Sequence, residues 1–349
     1  MSRSKPVVRA VDVGYGHVKW SEGRDESGLI LADAFPSQAP LALENDFQTE
    51  IMQRRDTFVV PVNEIHFEVG RQVRMAFGKN QELEQLDDRF ALSDGYTARL
   101  YGAFNYMLST LPSRSIDYLM LGLPMKTLKQ HSVALQRRFV GEHTINLEGE
   151  KFVIEHCAVY PQPLGSYATY LQKKAQKSRI APMALIVDVG YHTVDWITCL
   201  GMVANPDQSD GVERGMGAFL REVAKSVIKA SGMAANESTV VRMLDQSLIT
   251  GEEFRLAGKE FDLKPHLRAG NGIIEQAAQA VRNNVGVGEG LDVVIVSGGG
   301  ARFFLPAIKK HYPSHDVTTL PAPALANVRG FHQFGELIAD SARRATAQA

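Results

Sequence analysis

The chain has 349 residues, 44% of them hydrophobic and 22% charged, with a formal net charge of −1. At roughly 100–200 residues per domain this length predicts two domains, each with a sizeable core, and the near-neutral balance excludes a global pull toward nucleic acid or anionic membrane. The two cysteines, Cys157 and Cys199, lie in apolar stretches, which speaks against a disulfide-stapled scaffold, and no run of about 18 apolar residues is present to span a membrane.

The opening segment, MSRSKPVVRAVDVG, enters a strand almost at once and carries no leader-like apolar core. A cytoplasmic protein is therefore expected. The first recognisable element is a hairpin over Val11–Trp20, VDVGYGHVKW. An apolar strand delivers Asp12, a turn carries Gly14, Tyr15, Gly16 and His17, and a second strand carries Lys19. Glycines in such a turn let backbone N–H groups approach a phosphate, Asp12 can orient metal-bound water, and Lys19 can neutralise charge. Taken singly, the pattern also describes an ordinary β-turn with a surface lysine. Residues from about 21 to 89 are more polar and less regular, and read as an inserted subdomain.

Strands are predicted over Tyr118–Leu123 and Phe152–Val159. A helix follows, marked by Leu164, Ala168, Leu171 and Ala175, with basic residues at its end that suit the helix dipole. At its entrance Gln162 stands polar among apolar neighbours. It could position a water that attacks a γ-phosphate, or serve only as a polar residue at a helix N-terminus. Residues 177–182 are the expected crossing between domain I (1–177) and domain II (178–349).

Just past mid-chain the hairpin recurs. Val187–Trp196 reads VDVGYHTVDW, identical to the first copy at seven of ten positions. A duplicated domain is the economical explanation. Asp188 then becomes a second metal-orienting carboxylate, and Gly190, Tyr191, His192 and Thr193 a second phosphate-binding turn. A helix carrying Phe219, Leu220, Val223 and Val227 follows the Gly215–Gly217 turn. Another carries Ile273, Ile274, Ala277, Ala278 and Val281, and another runs from Phe331 to Ala345. Between the last two, a buried strand at Val293–Val296 ends in Ser297-Gly298-Gly299-Gly300-Ala301, ahead of a helix-like segment from Arg302 to Lys310. A glycine turn between strand and helix admits a ligand to the backbone, or is simply tight. Small residues over Pro323–Gly330 allow close helix packing. His17 and His192 read as phosphate-facing or packed rather than proton-transferring residues, and Arg54-Arg55 and Arg137-Arg138 as solvated faces.

Together these segments resemble the superfamily of actins, heat-shock chaperone ATPases and sugar kinases. Its five motifs occur in a fixed order: phosphate 1, connect 1, phosphate 2, adenosine, connect 2. Here they fall at Asp12–Lys19, Tyr160–Ser166, Asp188–Asp195, Ser297–Ala301 and Ala324–Gly330. The spacing Asp12-x-Gly14-x-Gly16-x-x-Lys19, the segments His66–Gly70 and Leu121–Pro124, and the ending Ala326–Phe331 most resemble the bacterial actin-like plasmid-segregation proteins of the ParM/StbA group.

The resemblance implies an α/β protein of two RNase H-like domains flanking a nucleotide cleft, with ATP and Mg2+ as cofactors. It implies Asp12 and Asp188 on the metal's water shell, Lys19 on phosphate and Gln162 on the attacking water. Gly298, Gly299 and Gly300 would face ribose and adenine, with Gly215 and Gly217 and with Arg302 beside them. Connect 1 carries Gln where many relatives have Glu, as actins do, and His192 stands where many have Gly or Thr. The function implied is a filament-forming ATPase whose partner is itself, reaching plasmid DNA through an adaptor and using no membrane. A small-molecule kinase and a nucleotide-gated binding module are the alternatives.

Overall fold

The structure, a computed structural model, describes residues 5–42, 54–76, 87–175 and 180–348. The chain forms two compact units, Met1–Ile180 with Leu320–Ala349, and Ala181–Thr319.

The first unit opens on β1 (Val8–Val13), β2 (His17–Arg24) and β3 (Ile30–Pro36), an antiparallel meander. A separate hairpin of β4 (Phe58–Val62) and β5 (Ile65–Val69) follows. Next come α1 (Asp94–Met107), β6 (Ser115–Leu123), α2 (Met125–Phe139), β7 (Gly141–Thr144), β8 (Lys151–Pro161) and α3 (Gln162–Ala175). Ser93 starts α1 by accepting the Tyr96 N–H on its hydroxyl, satisfying one of the helix's orphan donors. The six-stranded sheet runs β3-β2-β1-β6-β8-β7. Period-two alternation sends Val11, Val13, Leu119 and Leu121 into the core shared with α1, and leaves Ala10, Asp12, Met120 and Gly122 on the opposite face.

The second unit repeats the plan. β9 (Met183–Val189), β10 (Val194–Leu200) and β11 (Val203–Val212) form an antiparallel meander, followed by α4 (Met216–Ser231) and α5 (Glu237–Thr250). A two-stranded ribbon of β12 (Arg255–Leu256) and β13 (Lys259–Glu260) leads to α6 (Lys264–Leu267) and α7 (Asn271–Val285). Then come β14 (Val293–Ser297), α8 (Ala301–His311) and β15 (Val317–Thr319). The order β11-β10-β9-β14-β15 reproduces that of the first five strands of the other sheet. In both, three antiparallel strands precede two parallel ones. The repeat's tryptophans hold matching registers, Val11 opposite Trp20 and Val187 opposite Trp196, and both rings are buried. The indole N–H of Trp196 finds Asn284 Oδ1 at 2.7 Å.

The final helix, α9 (Ala326–Gln348), corrects the expectation that the second domain runs to residue 349, because it packs in the first unit. A Cβ on Gly330 would lie 1.8 Å from the Gly165 carbonyl oxygen, and one on Gly165 would lie 2.4 Å from the Asn327 carbonyl oxygen. Only paired glycines allow α3 and α9 this approach. Ser166 Oγ donates to Asn327 Oδ1 (2.6 Å), Thr169 Oγ1 to the Ala326 carbonyl (2.8 Å) and Gln333 to Gln172 (2.6 Å) along the same seam. Arg24 forks onto Glu336 at 2.8 and 2.6 Å, tying β2 to α9. Here the small-residue stretch does what the sequence predicts.

The inserted subdomain is also smaller than 21–89, since β2 and β3 belong to the main sheet. What departs from the repeated plan begins after Pro36 and includes the β4–β5 hairpin. Residues 177–179 of the expected crossing lie outside the described residues. Two of the expected solvated arginines are anchors instead. Arg55 pairs with the buried Glu68 at 3.0 Å, and Arg138 donates to the Leu92 carbonyl at 2.9 Å. Cys199 is buried, Cys157 only partly so, and burial pushes both thiols up to about 12. No helix among the described residues is long and apolar enough to cross a membrane.

Candidate functional site

Each hairpin builds a polar centre in its own unit. In the first, Asp12 pairs in register with Lys19 and is 1% exposed. Lys19 Nζ contacts Asp12 Oδ2 at 3.0 Å, and Gln162 Nε2 donates to Asp12 Oδ1 at 2.7 Å. Three candidate residues from β1, β2 and the start of α3 therefore meet at one carboxylate. Across the turn the Gly14 N–H donates to the His17 carbonyl (3.2 Å). A Cβ on Gly14 would lie 3.1 Å from that oxygen and 3.3 Å from Lys19 Nζ, so a side chain there would crowd the lysine. The Gly16 carbonyl accepts from the Ser37 N–H (2.9 Å), and Tyr15 packs on Phe90 with ring centroids 4.8 Å apart. Burial, then Lys19 and Arg74, push His17 down to about 3. A neutral ring at physiological pH fits packing and hydrogen bonding better than proton delivery.

In the second unit the Gly190 N–H donates to the Thr193 carbonyl (2.9 Å), the counterpart of the Gly14–His17 bond. Asp188 is 5% exposed and pairs in register with Asp195, where the first hairpin has Lys19. Ser297 stands in register on the other side of Asp188. Asp195, Asp188 and Ser297 thus form a buried polar row across three strands, on the face opposite the core shared with α4, α7 and α8. Thr193 Oγ1 donates to Asp195 Oδ2 at 2.5 Å. His192 Nε2 lies 3.9 Å from Glu213.

The glycines divide into two kinds. Gly298 has φ +84°, and its Cβ would fall 2.4 Å from the Val189 carbonyl oxygen and 2.5 Å from Asp188 Oδ1. The strand-to-helix turn therefore closes directly over the carboxylate, and only glycine fits. A Cβ on Gly300 would meet Val189 and Met216 at 2.4 and 2.7 Å. Around Gly299 there is open space, so this is the glycine of the three a ligand can approach. Gly215 and Gly217 are committed elsewhere. Their N–H groups donate to the His192 and Tyr191 carbonyls at 3.0 and 2.7 Å, and Met216 donates to Gly190 at 3.0 Å. The first amides of α4 thus brace the hairpin turn instead of facing a ligand.

Arg302 is exposed, lies over the Phe303 ring at 4.6 Å and donates to the Leu248 carbonyl at the end of α5 (2.5 Å). It borders a cavity of about 550 Å³ with Ser247, Leu248, Phe254, Phe261 and Lys264. That volume suits a small organic ligand. Apart from Arg302 these residues carry no motif in the sequence and come together only because α5, the ribbon and α8 converge.

A duplicated α/β unit with an acidic glycine turn at the end of its first strand defines the actin-like class of fold. The family described as actin like proteins N terminal domain matches residues 10–165, and that described as archaeal actin homologue MreB-like, C-terminal, matches residues 186–310. The chain belongs to the actin-like proteins. Among solved structures it is similar to Ta0583, an archaeal actin homolog, in complex with ADP, at 19% identity and TM-score 0.71 over 95% of this chain and 99% of that one. It is similar to a subunit of a 15-stranded ParM filament from Clostridium botulinum, at 17% identity and TM-score 0.70 over 96% and 100%. A further match is the AlfA filament bound to AMPPNP, at 14% and 0.59 over 96% and 98%. No curated protein matches the chain by sequence.

Proposed function

We propose that this protein is an ATPase of the ParM type that binds Mg-ATP, assembles into filaments with its own copies and disassembles after hydrolysis, segregating plasmid DNA through an adaptor. The observation that carries the reading is the paired hairpins. They share residues, register and the amide-to-carbonyl bond across the turn, and each buries the aspartate of its first strand beside a side-chain-free backbone.

The residues present fit a magnesium nucleotide. Mg2+ prefers oxygen ligands, keeps several waters and is commonly held through carboxylates and substrate phosphates. Two buried carboxylates suit that role, and the described residues contain no cluster of three or more His, Cys, Asp or Glu that could cage the ion directly. When bound, Mg-ATP supplies the electrophilic phosphorus and the charge neutralisation of its own oxygens. Asp12 and Asp188 would each hold water in the ion's shell, and Lys19, already 3.0 Å from Asp12, would compensate phosphate charge. Gln162 would orient the attacking water from its position on Asp12. The backbone at Gly299 and the cavity beside Arg302 would take the ribose and base.

The relatives bound to ADP and to AMPPNP, and those solved as filaments, support nucleotide binding and self-assembly here. The test is electron microscopy and pelleting of the purified protein with Mg-ATP, ADP and a non-hydrolysable analogue, alongside phosphate release by wild type and Gln162→Ala. Filaments with Mg-ATP are expected, together with a Gln162→Ala protein that still binds ATP but releases phosphate roughly 10²-fold more slowly. An ATP-bound protein that stays monomeric at high concentration would refute the filament reading, and unchanged phosphate release in Gln162→Ala would refute the role of Gln162.

A further inference from the structure

Gly122 lies within β6, where glycine weakens a strand, and no positive φ requires it. Its neighbours supply the reason. The pairing of Val11 with Leu121 puts Gly122 beside Asp12, and on its other side it pairs with Tyr160 of β8. Gln162 begins α3 just past the end of β8, yet its amide reaches Asp12 on β1 at 2.7 Å. From β8 to β1 is two strand spacings, about 9–10 Å, with β6 in between. The glutamine side chain must therefore cross β6, and it crosses at Gly122. A Cβ there would sit 3.2 Å from Gln162 Cγ and 2.5 and 2.8 Å from Cε2 and Cζ of Phe331. Phe331 is fully buried on α9, so its ring does not reach solvent. The ring closes one side of the passage and Gln162 fills the other.

We infer that Gly122 is a positioning residue: the bare backbone of β6 is the passage through which Gln162 reaches Asp12. This rests on the proposal that Gln162 orients water for hydrolysis. It adds a residue that touches neither nucleotide nor water and yet sets where the glutamine amide stands. A side chain at 122 would lift that amide off the carboxylate while leaving Asp12 and Lys19 in register on β1 and β2.

The test uses the full chain with Phe331→Leu as background, which removes the ring edge so that Gly122→Ala and Gly122→Val meet chiefly Gln162. The first readout is the side-chain amide signal of Gln162 in NMR spectra, assigned by its loss in Gln162→Ala. A shifted, exchange-protected signal is expected in wild type and in Phe331→Leu, moving to the position of a free amide in Gly122→Val and part of the way in Gly122→Ala. An unmoved signal in folded Gly122→Val would overturn the inference. The second readout is ATP turnover. Gly122→Val is expected to lower kcat about 10²-fold, the scale of an ångström-sized misplacement, with KM nearly unchanged. Added to Gln162→Ala it should cost nothing further, whereas a purely structural role gives a full additional loss and overturns the inference. If wild type hydrolyses no nucleotide, the proposed function falls, and the NMR arm still decides the role of Gly122.

Discussion

Replacing Gly330 by alanine isolates the contact that returns the end of the chain to the first unit. The added Cβ would lie 1.8 Å from the Gly165 carbonyl oxygen, so α3 and α9 must separate by about 1.2 Å to reach the 3.0 Å that real Cβ contacts respect. Both sides of the clash are backbone-anchored, so no side chain can rotate to relieve it. Overpacking of this kind typically costs about 1–3 kcal/mol, and the strain here belongs at the upper end. Against it stands the helix propensity of alanine over glycine, about 1 kcal/mol. The net expectation is a loss of about 2 kcal/mol, or roughly 4–8 °C in Tm for a unit of this size. Gly272→Ala on α7 is the opposite case in the second unit, because nothing lies within 4 Å of its Cβ, and read through Trp196 it should leave that unit's stability unchanged or slightly raised. Trp20 lies in the first unit and Trp196 in the second. Guanidinium unfolding followed by fluorescence in a Trp196→Phe background therefore reads the affected unit alone. A Gly330→Ala protein whose Trp20 transition falls at the wild-type midpoint would refute the close helix crossing.

Gly299→Ala should leave the unfolding midpoint unchanged, because its Cβ enters open space, but should weaken ATP binding measured by calorimetry if nucleotide approaches there. Gly298→Ala should instead lose stability, by about 1–2 kcal/mol for the left-handed backbone and more for the contacts with Val189 and Asp188. Equal stability of the two variants would contradict the described turn. His17 has a folded pKa of about 3 against the usual 6.5, so the folded protein binds fewer protons than the unfolded chain between those values. The neutral ring's contribution is complete above pH 6.5 and is lost as pH falls toward 3. His17→Gln should accordingly flatten the acid limb of a stability–pH curve by about one proton. His332 and His143, also lowered by burial, should keep the remainder of the limb steep. An unchanged acid limb would place His17 in solvent.

Much of the fold could be read from the chain because the hairpin repeats. The alternation that buries Val11, Trp20, Val187 and Trp196 is local and periodic, and a strand of period two must send Asp12 and Asp188 to the face opposite the valines beside them. The order of the five motif segments is likewise a property of the sequence, as is the small-residue stretch that lets α9 approach another helix.

What the sequence could not supply is partnership between distant segments. That α9 belongs to the first unit depends on Gly330 meeting Gly165, and neither glycine announces the other. That Gly215 and Gly217 brace a turn while Gly299 stays open depends on which amides meet carbonyls after α4 docks, since all three look alike in one dimension. The Asp12–Gln162 hydrogen bond spans 150 residues, and the passage at Gly122 exists only because β6 lies between β1 and β8. Local pattern determined the elements and their faces, and tertiary packing alone decided which backbone came close enough to exclude a side chain.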